Sequence, residues 1–309
     1  MKIGGVTVLY HPQPRFLAHL ESYIESLDVL IVIDNSESPQ SWVAEQLLQK
    51  DKVRYLAPGK NLGIAAALNM AADEALAQAC DWLLMMDQDS MFAPGSMACM
   101  IAETKRLMAL EVSLGMVVPR IRSSVSGQEL AGTRTGIKLT EQGLGADRQV
   151  EPVLTAWTSG SLLLLAAYRR CGPFMEHLFI DSVDHEYCLR LNSHGCKICR
   201  LSQVILLHAL GSLSAQRIFG IPVATTNHSA LRRYYITRNR LFVAARFRDR
   251  YPAFFRLELR TVFTESVKVL LVEPQKLAKL QAMIEGVIDF WTGRGGPRHA
   301  KVKLTDGGL

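Results

Sequence analysis

A chain of 309 residues that is 49% apolar holds enough hydrophobic side chains for one large α/β domain, or for such a domain with a helical extension. Leu231 to Leu309 carries 16 Lys/Arg against 7 Asp/Glu, a net of +9, while the first 230 residues carry 19 against 22, a net of −3. A basic tail on a mildly acidic body implies an anionic surface, an anionic ligand, or both. No apolar run reaches the roughly 18 residues that a transmembrane helix needs.

The N-terminus runs straight into a strand-like segment, so no secretory signal is expected. The six cysteines then read as reduced thiols of a cytoplasmic protein. Cys196 and Cys199 have the spacing of half a zinc site, but no second pair follows, so they read as core residues.

Gly5 to Tyr10 reads as a buried strand, Pro14 to Ser26 as a helix, and Val29 to Ile33 as a second strand ending at Asp34-Asn35. A helix is expected near Gln40 to Gln49, a strand over Val53 to Leu56, and an Ala-rich helix over Ile64 to Ala79. Trp82 to Met86 is a fourth strand ending at Asp87, and Pro94 opens another helix. This alternation implies a mostly parallel sheet with helices on both faces, with ligands collecting at the carboxyl ends of the strands. Residues 121 to 150, rich in Gly, Ser, Thr and charge, read as a long loop or a hairpin. Val153 to Trp157 reads as a strand and Asp184 to His194 as a helix capped by Gly195. From Asn227 the pattern is helical to Trp291, broken at Pro252 and Pro274, and Thr292 to Leu309 reads as a loose tail. The expected division is a nucleotide-sugar-binding and catalytic domain over 1–226 and a helical extension over 227–309.

Asp87-Gln88-Asp89 directly follows an apolar strand. Two carboxylates one residue apart at a strand end can share a divalent cation, and hard oxygen ligands suit Mg²⁺ or Mn²⁺. Solvated turns also carry this pattern, so the strand before it is what raises it to a candidate. Gly63, ahead of the Ile64 helix, lets backbone N–H groups approach a polar ligand, though ordinary capping by Asn61 explains the same residues. In Asp181-Ser182-Val183-Asp184-His185-Glu186 the helix dipole favours carboxylates in the first turn. An i,i+4 pair with Arg190 accounts for Glu186 but not for Asp184, which is placed to deprotonate a hydroxyl.

The order Tyr10-His11-Pro12, Asp34-Asn35, Asn61-Leu62-Gly63, Asp87-Gln88-Asp89, Ser159-Gly160 and Asp184 resembles the GT-A glycosyltransferases of family 2, over residues 3 to 245. Phe179-Ile180-Asp181-Ser182-Val183-Asp184 together with Tyr234-Tyr235-Ile236-Thr237-Arg238-Asn239 resembles the family's bacterial rhamnosyltransferase branch. The resemblance implies an inverting, metal-dependent transferase with a GT-A, Rossmann-like fold. It implies that Tyr10 and Asp34 line the nucleobase pocket with Asn61 and Gly63 nearby, that Asp87 faces ribose or metal, and that Gly160 belongs to the donor site. It further implies that Asp89 and His208 ligate the metal, that Asp184 is the base, and that Arg238 and Asn239 lie near the phosphates. Without it, His208 reads as a core histidine. Two positions depart from the family pattern. Leu9-Tyr10-His11 stands where many relatives have Thr-Tyr-Asn, and Val183 precedes Asp184 where an acid is common.

The implied donor is dTDP-L-rhamnose. The implied acceptor is a saccharide on a polyprenyl-diphosphate lipid at the inner face of the cytoplasmic membrane. A nucleotidyltransferase is the rival enzyme reading, but it normally shows a Gly-rich basic loop where this chain has His11-Pro12-Gln13-Pro14-Arg15. A nucleic-acid-binding tail is the other alternative, and the helical core spacing of the aromatic residues after Arg246 counts against it. Those basic, aromatic helices are expected either to lie on a membrane surface or to build a homo-oligomer contact.

Overall fold

The computed structural model describes residues 1–110, 112–130, 133–134, 149–209, 214–218, 221–300 and 302–303; of 133–134, 214–218, 221–224 and 302–303 it gives the backbone alone. Most of the Gly- and Ser-rich stretch expected to loop between 121 and 150 lies outside the described residues. Its first part does form a hairpin-like turn, with Arg122 bridged to Glu129. The chain divides into two compact units, one of Met1–Phe174 with Tyr187–Ala209 and one of Met175–Glu186 with Leu210–Leu309.

The first unit alternates strand and helix: β1 (Ile3–Leu9), α1 (Phe16–Leu20), β2 (Val29–Asp34), α2 (Ser41–Leu47), β3 (Val53–Leu56), α3 (Ile64–Ala77) and β4 (Trp82–Asp87). There follow β5 (Ser90–Phe92), α4 (Ser96–Ala109), β6 (Leu114–Ser123), β7 (Thr133–Arg134), β8 (Val150–Pro152), β9 (Thr155–Ala156), β10 (Ser161–Leu164) and α5 (Leu165–Cys171). Then come α6 (Val183–Ser193), whose first turn is grouped with the second unit, and β11 (Lys197–His208). The sheet order is β3-β2-β1-β4-β10-β6-β11-β5, with β8 also on β11. The half from β3 to β4 is parallel, and β2 is buried along its whole length, as expected of a central strand covered on both faces. The sheet is mixed overall, because β10 runs antiparallel to both β4 and β6.

A tight turn leads into β10. Ser161 N–H donates to Thr158 O at 3.0 Å, and Gly160 sits at φ +77° with its N–H on Met85 O at 2.8 Å. That φ suits glycine, and a Cβ there would stand 2.8 Å from Pro119 and 2.9 Å from Leu206. The helix expected over Pro14 to Ser26 is divided into α1 and a 3₁₀ turn, Ile24–Ser26. Tyr23 leaves helical geometry at φ −144° because its buried hydroxyl is anchored on Thr7 at 2.7 Å.

In the second unit, β12 (Ser214–Ile218) and β13 (Ile221–Thr225) form a hairpin before three helices, α7 (Ala230–Arg246), α8 (Pro252–Leu271) and α9 (Lys276–Trp291). A short pair, β14 (Arg294–Gly295) and β15 (Val302–Lys303), closes the unit. The breaks fall where proline dictates: Pro252 opens α8, and Pro274 separates α8 from α9. Ser229 caps α7 by accepting the Arg232 N–H at 3.2 Å. The core of this unit contains a buried charge network. Arg233 pairs with Glu265 at 2.8 Å and with Glu273, and Lys279 pairs with Glu273 at 2.8 Å. Arg240 pairs with Glu258 at 2.8 Å.

Candidate active site

Sheet register sets the site. Leu9 lies opposite Asp34 and Val8 opposite Asp87, so both aspartates flank the carboxyl end of β1. Asp34 is fully buried; one oxygen accepts the Tyr55 hydroxyl at 2.9 Å and the other the Ser36 N–H at 3.1 Å. Burial first, then the Asp34 hydrogen bond and charge, push the Tyr55 phenol well above its usual range, so the hydroxyl remains a donor. Asn35 ties this strand end to the loop before α3. Its amide donates to Asn61 Oδ1 at 3.0 Å, and its Oδ1 accepts the Leu62 N–H at 2.8 Å. Asn61 Oδ1 also accepts the N–H of Gly63, the N-cap of α3, at 2.9 Å. Asn61 therefore does not cap α3 as expected: Gly63 is the N-cap, no side chain caps the helix, and Asn61 instead braces the loop before it. Tyr10 presents an exposed ring, while its backbone exchanges two hydrogen bonds with the Gln88 side chain at 2.9 and 3.1 Å. The structure therefore gathers Tyr10, Asp34, Asn61 and Gly63 along one end of the sheet.

The second group forms where β4 turns into β5. In the antiparallel pairing of β5 with β11, His208 lies opposite Ser90, which brings the end of β11 beside Asp89. Asp87, Asp89 and His208 each offer one ligand atom, and these atoms lie within 4.8 Å of one another. Two carboxylates and an imidazole, all partly exposed, form a donor set that fits a divalent cation such as Mg²⁺ or Mn²⁺. Two serines support it. Ser90 Oγ lies 2.7 Å from His208 Nδ1, which fixes the ring, and the same nitrogen stands 3.5 Å from Asp89 Oδ1. Ser159 Oγ accepts the Asp87 N–H at 3.1 Å, just ahead of Gly160. Trp157 packs edge-on to the His208 ring at 5.8 Å. Ser90 lies within the Asp-x-Asp neighbourhood, yet only the pairing of β5 with β11 shows its use.

Asp184 lies in the second unit, in the first turn of α6, and its Oδ1 accepts the His185 N–H at 2.8 Å. The segment before it is bent through left-handed backbone at Phe179, Asp181 and Ser182, with φ between 62° and 65°. Such conformations in non-glycine residues are costly and persist only where surrounding structure enforces them. Arg238 and Asn239 enforce them here. Arg238, fully buried, donates to Tyr234 Oη (3.0 Å), to Asn239 Oδ1 (2.9 Å) and to the carbonyls of Gly296 (2.7 Å), His177 (3.2 Å) and Leu178 (3.3 Å). Asn239 Nδ2 reaches the carbonyls of Leu178 and Ile180 at 2.6 Å and of Asp181 at 3.0 Å. The pair expected near phosphates is enclosed in protein, its donors committed to the backbone that leads to Asp184. Nearby His177 is pushed down to about 4 by burial, with the Arg238 and Arg246 charges adding to the effect.

Residues 10–118 match the model for glycosyl transferase family 2. Over 96% of its length the chain is 24% identical to 98% of a dTDP-rhamnosyl transferase, RfbF, of Shigella flexneri. Over 66% of its length it is 27% identical to 74% of an N-acetylglucosaminyl-diphospho-decaprenol L-rhamnosyltransferase of Mycobacterium tuberculosis. Among solved structures, GalNAc-T7 with UDP, GalNAc and Mn²⁺ matches 94% of the chain at a TM-score of 0.59 and 15% identity, and the chain spans 57% of that protein. At that identity the match speaks to the fold alone. With a GT-A-like sheet carrying its acidic cluster at the strand ends, and with a curated relative that matches along nearly its whole length, the chain is a glycosyltransferase, similar to family 2 and to its rhamnosyltransferases.

Proposed function

We propose that the protein transfers L-rhamnose from dTDP-L-rhamnose, with inversion, to a saccharide carried on a polyprenyl-diphosphate lipid. The observation that carries this reading is the Asp87–Asp89–His208 cluster at the sheet end, in a chain alike over 96% of its length to a dTDP-rhamnosyl transferase. The decaprenol-linked acceptor in the mycobacterial relative's name supports the acceptor class.

In this reading Asp89 and His208, with Asp87, hold Mg²⁺ or Mn²⁺. The ion, when bound, neutralises the diphosphate as it leaves. Ser90 keeps the His208 ring turned to its task, and Ser159 holds the Asp87 backbone in place. The exposed Tyr10 ring offers a stacking face to the nucleobase, and the buried Asp34 with Asn35 and Asn61 holds the loop beside it. Asp184 accepts the proton of the acceptor hydroxyl as that oxygen attacks the anomeric carbon from the side opposite the diphosphate. One displacement inverts the configuration. Arg238 and Asn239 act on this step only by holding the Phe179–Ser182 backbone, so they are positioning residues. The domain over 1–226 supplies donor binding in this scheme, and the helices after 227 serve location and support at the inner membrane face.

A donor screen tests it. Purified protein is incubated with dTDP-L-rhamnose and with UDP- and GDP-sugars, with Mn²⁺, Mg²⁺ or EDTA, and nucleoside diphosphate release is followed. Release from dTDP-L-rhamnose that EDTA stops is the expected result. Turnover of another sugar nucleotide with none of dTDP-L-rhamnose overturns the donor assignment, and full activity in EDTA overturns the metal.

A further inference from the structure

We infer that α8 and α9 form a docking face for an anionic lipid surface. The inference is independent of the donor and of the sugar. On α8 the exposed residues Arg256, Arg260, Phe263, Val267 and Leu270 recur at helical spacing on one side. On α9, which packs against α8, Leu277, Ile284, Ile288 and Trp291 do the same. Three of these side chains are largely exposed: Leu277 is 85% exposed, Trp291 78% and Phe263 69%. Phe247, Tyr251 and Phe254, which precede or open α8, are buried, and Phe255 and Phe290 are half-buried, so Phe263 and Trp291 are the aromatic residues of these helices that face outward.

The charges divide in the same way. Glu258, Glu265, Glu273, Glu285 and Asp289 are the acids of α8, α9 and the turn between them. Glu258, Glu273 and Asp289 are buried, and Glu265 and Glu285 are largely covered. Each has a partner: Arg240 for Glu258, Arg233 for Glu265 and Glu273, Arg298 for Glu285 and the Tyr234 hydroxyl for Asp289. The outward charges of the two helices are Arg256, Arg260 and Lys276. A face of large apolar and basic side chains, with every acid turned inward, complements a leaflet whose headgroups are negative and whose boundary accepts Phe, Trp, Leu and Ile. A second copy is a poor occupant, because an isologous contact would bring two faces of the same positive charge together with no outward acid to offset them. Neither helix is long and apolar enough to cross a membrane, so the contact is one that lies on the surface.

Vesicle flotation tests the inference, using phosphatidylcholine vesicles with and without phosphatidylglycerol. The full chain is expected to float with the phosphatidylglycerol vesicles and to bind neutral ones at least about tenfold more weakly. Brominated lipid is expected to quench Trp291 fluorescence, judged against Trp291→Phe. The double variant Phe263→Asp/Trp291→Asp should lose at least about tenfold in binding, through lost apolar insertion. The variant Arg256→Glu/Arg260→Glu/Lys276→Glu should lose binding while keeping the aromatic residues. All these positions are exposed, so both variants should melt as the wild type does. Failure of the wild type to float, wild-type flotation by either variant, or a lipid-free dimer that Phe263→Asp/Trp291→Asp dissociates would each overturn the inference.

Discussion

At Asp184 a single carboxylate opens α6, with its Oδ1 on the following amide and the dipole of the helix favouring its charge. Under the proposed chemistry Asp184→Asn keeps the shape and removes the base. Transfer is expected to fall about 10²- to 10⁴-fold while nucleotide-sugar binding persists. Single-turnover kinetics beside calorimetry separate the two, and wild-type turnover would exclude Asp184 as the base. The metal cluster allows a graded comparison. Asp89→Ala deletes a ligand and should abolish the metal-dependent part of nucleoside diphosphate binding. Ser90→Ala deletes only the group 2.7 Å from His208 Nδ1, so metal affinity should drop about 10- to 100-fold. Titration with Mn²⁺ measures both, and equal loss in the two variants would mean that Ser90 does more than orient the ring.

Among the elements, the turn from Thr158 to Ser161 and the helix α7 carry the most structural consequence. Gly160 combines φ +77° with a backbone wedged against Pro119 and Leu206, next to the serine that holds Asp87. Gly160→Ala is therefore expected to destabilise the fold by about 1–3 kcal/mol through overpacking and backbone strain. Urea unfolding gives the value, and a neutral result would show that the turn can relax. In α7, Arg238 makes five hydrogen bonds from a fully buried guanidinium. Lysine has three donors and no planar fork, so Arg238→Lys leaves buried carbonyls unsatisfied, at a cost of about 1–3 kcal/mol for each. The variant should lose stability, and it should lose kcat more than donor affinity if the brace acts through the segment before Asp184.

For the whole molecule, the buried ionisable groups of the second unit set an acid limit. His177 and His228 are both pushed down to about 4, by burial first and then by neighbouring arginines: Arg238 and Arg246 for His177, Arg232 and Arg233 for His228. Their folded values lie below the ordinary 6.5, so the unfolded chain binds more protons in between and stability rises with pH through that window. Their contribution is complete above about 6.5 and is lost as the pH falls toward 4. Glu265 and Glu273 act in the same direction at lower pH. Burial raises them, but hydrogen bonds and charges from Lys268, Arg233, Lys279 and Thr225 outweigh it. Their contribution persists above the ordinary 4.5 and disappears as the pH falls through their lower folded values. Melting temperature should therefore drop steadily from pH 7 to pH 5, and His177→Gln or His228→Gln should flatten that slope. An unchanged slope in both variants would locate the acid sensitivity elsewhere.

Local patterning was enough to read the parallel half of the sheet, the strand before Asp87, and the breaks at Pro252 and Pro274. Strand runs, helical spacing and proline act over a few residues and are written directly in the chain. The order of the motifs along the chain, through the family resemblance, marked Asp89 and Asp184 as candidates. Tertiary structure decided what depends on register and on which side of a helix meets a neighbour. Only the antiparallel pairing of β5 with β11 brings His208 to Ser90, 118 residues away in sequence, and separates it from an ordinary core histidine. The family resemblance implies that Arg238 and Asn239 lie near phosphate, yet packing turns them inward onto backbone carbonyls. A side chain's chemistry states what it can bind, and burial determines which partner reaches it first.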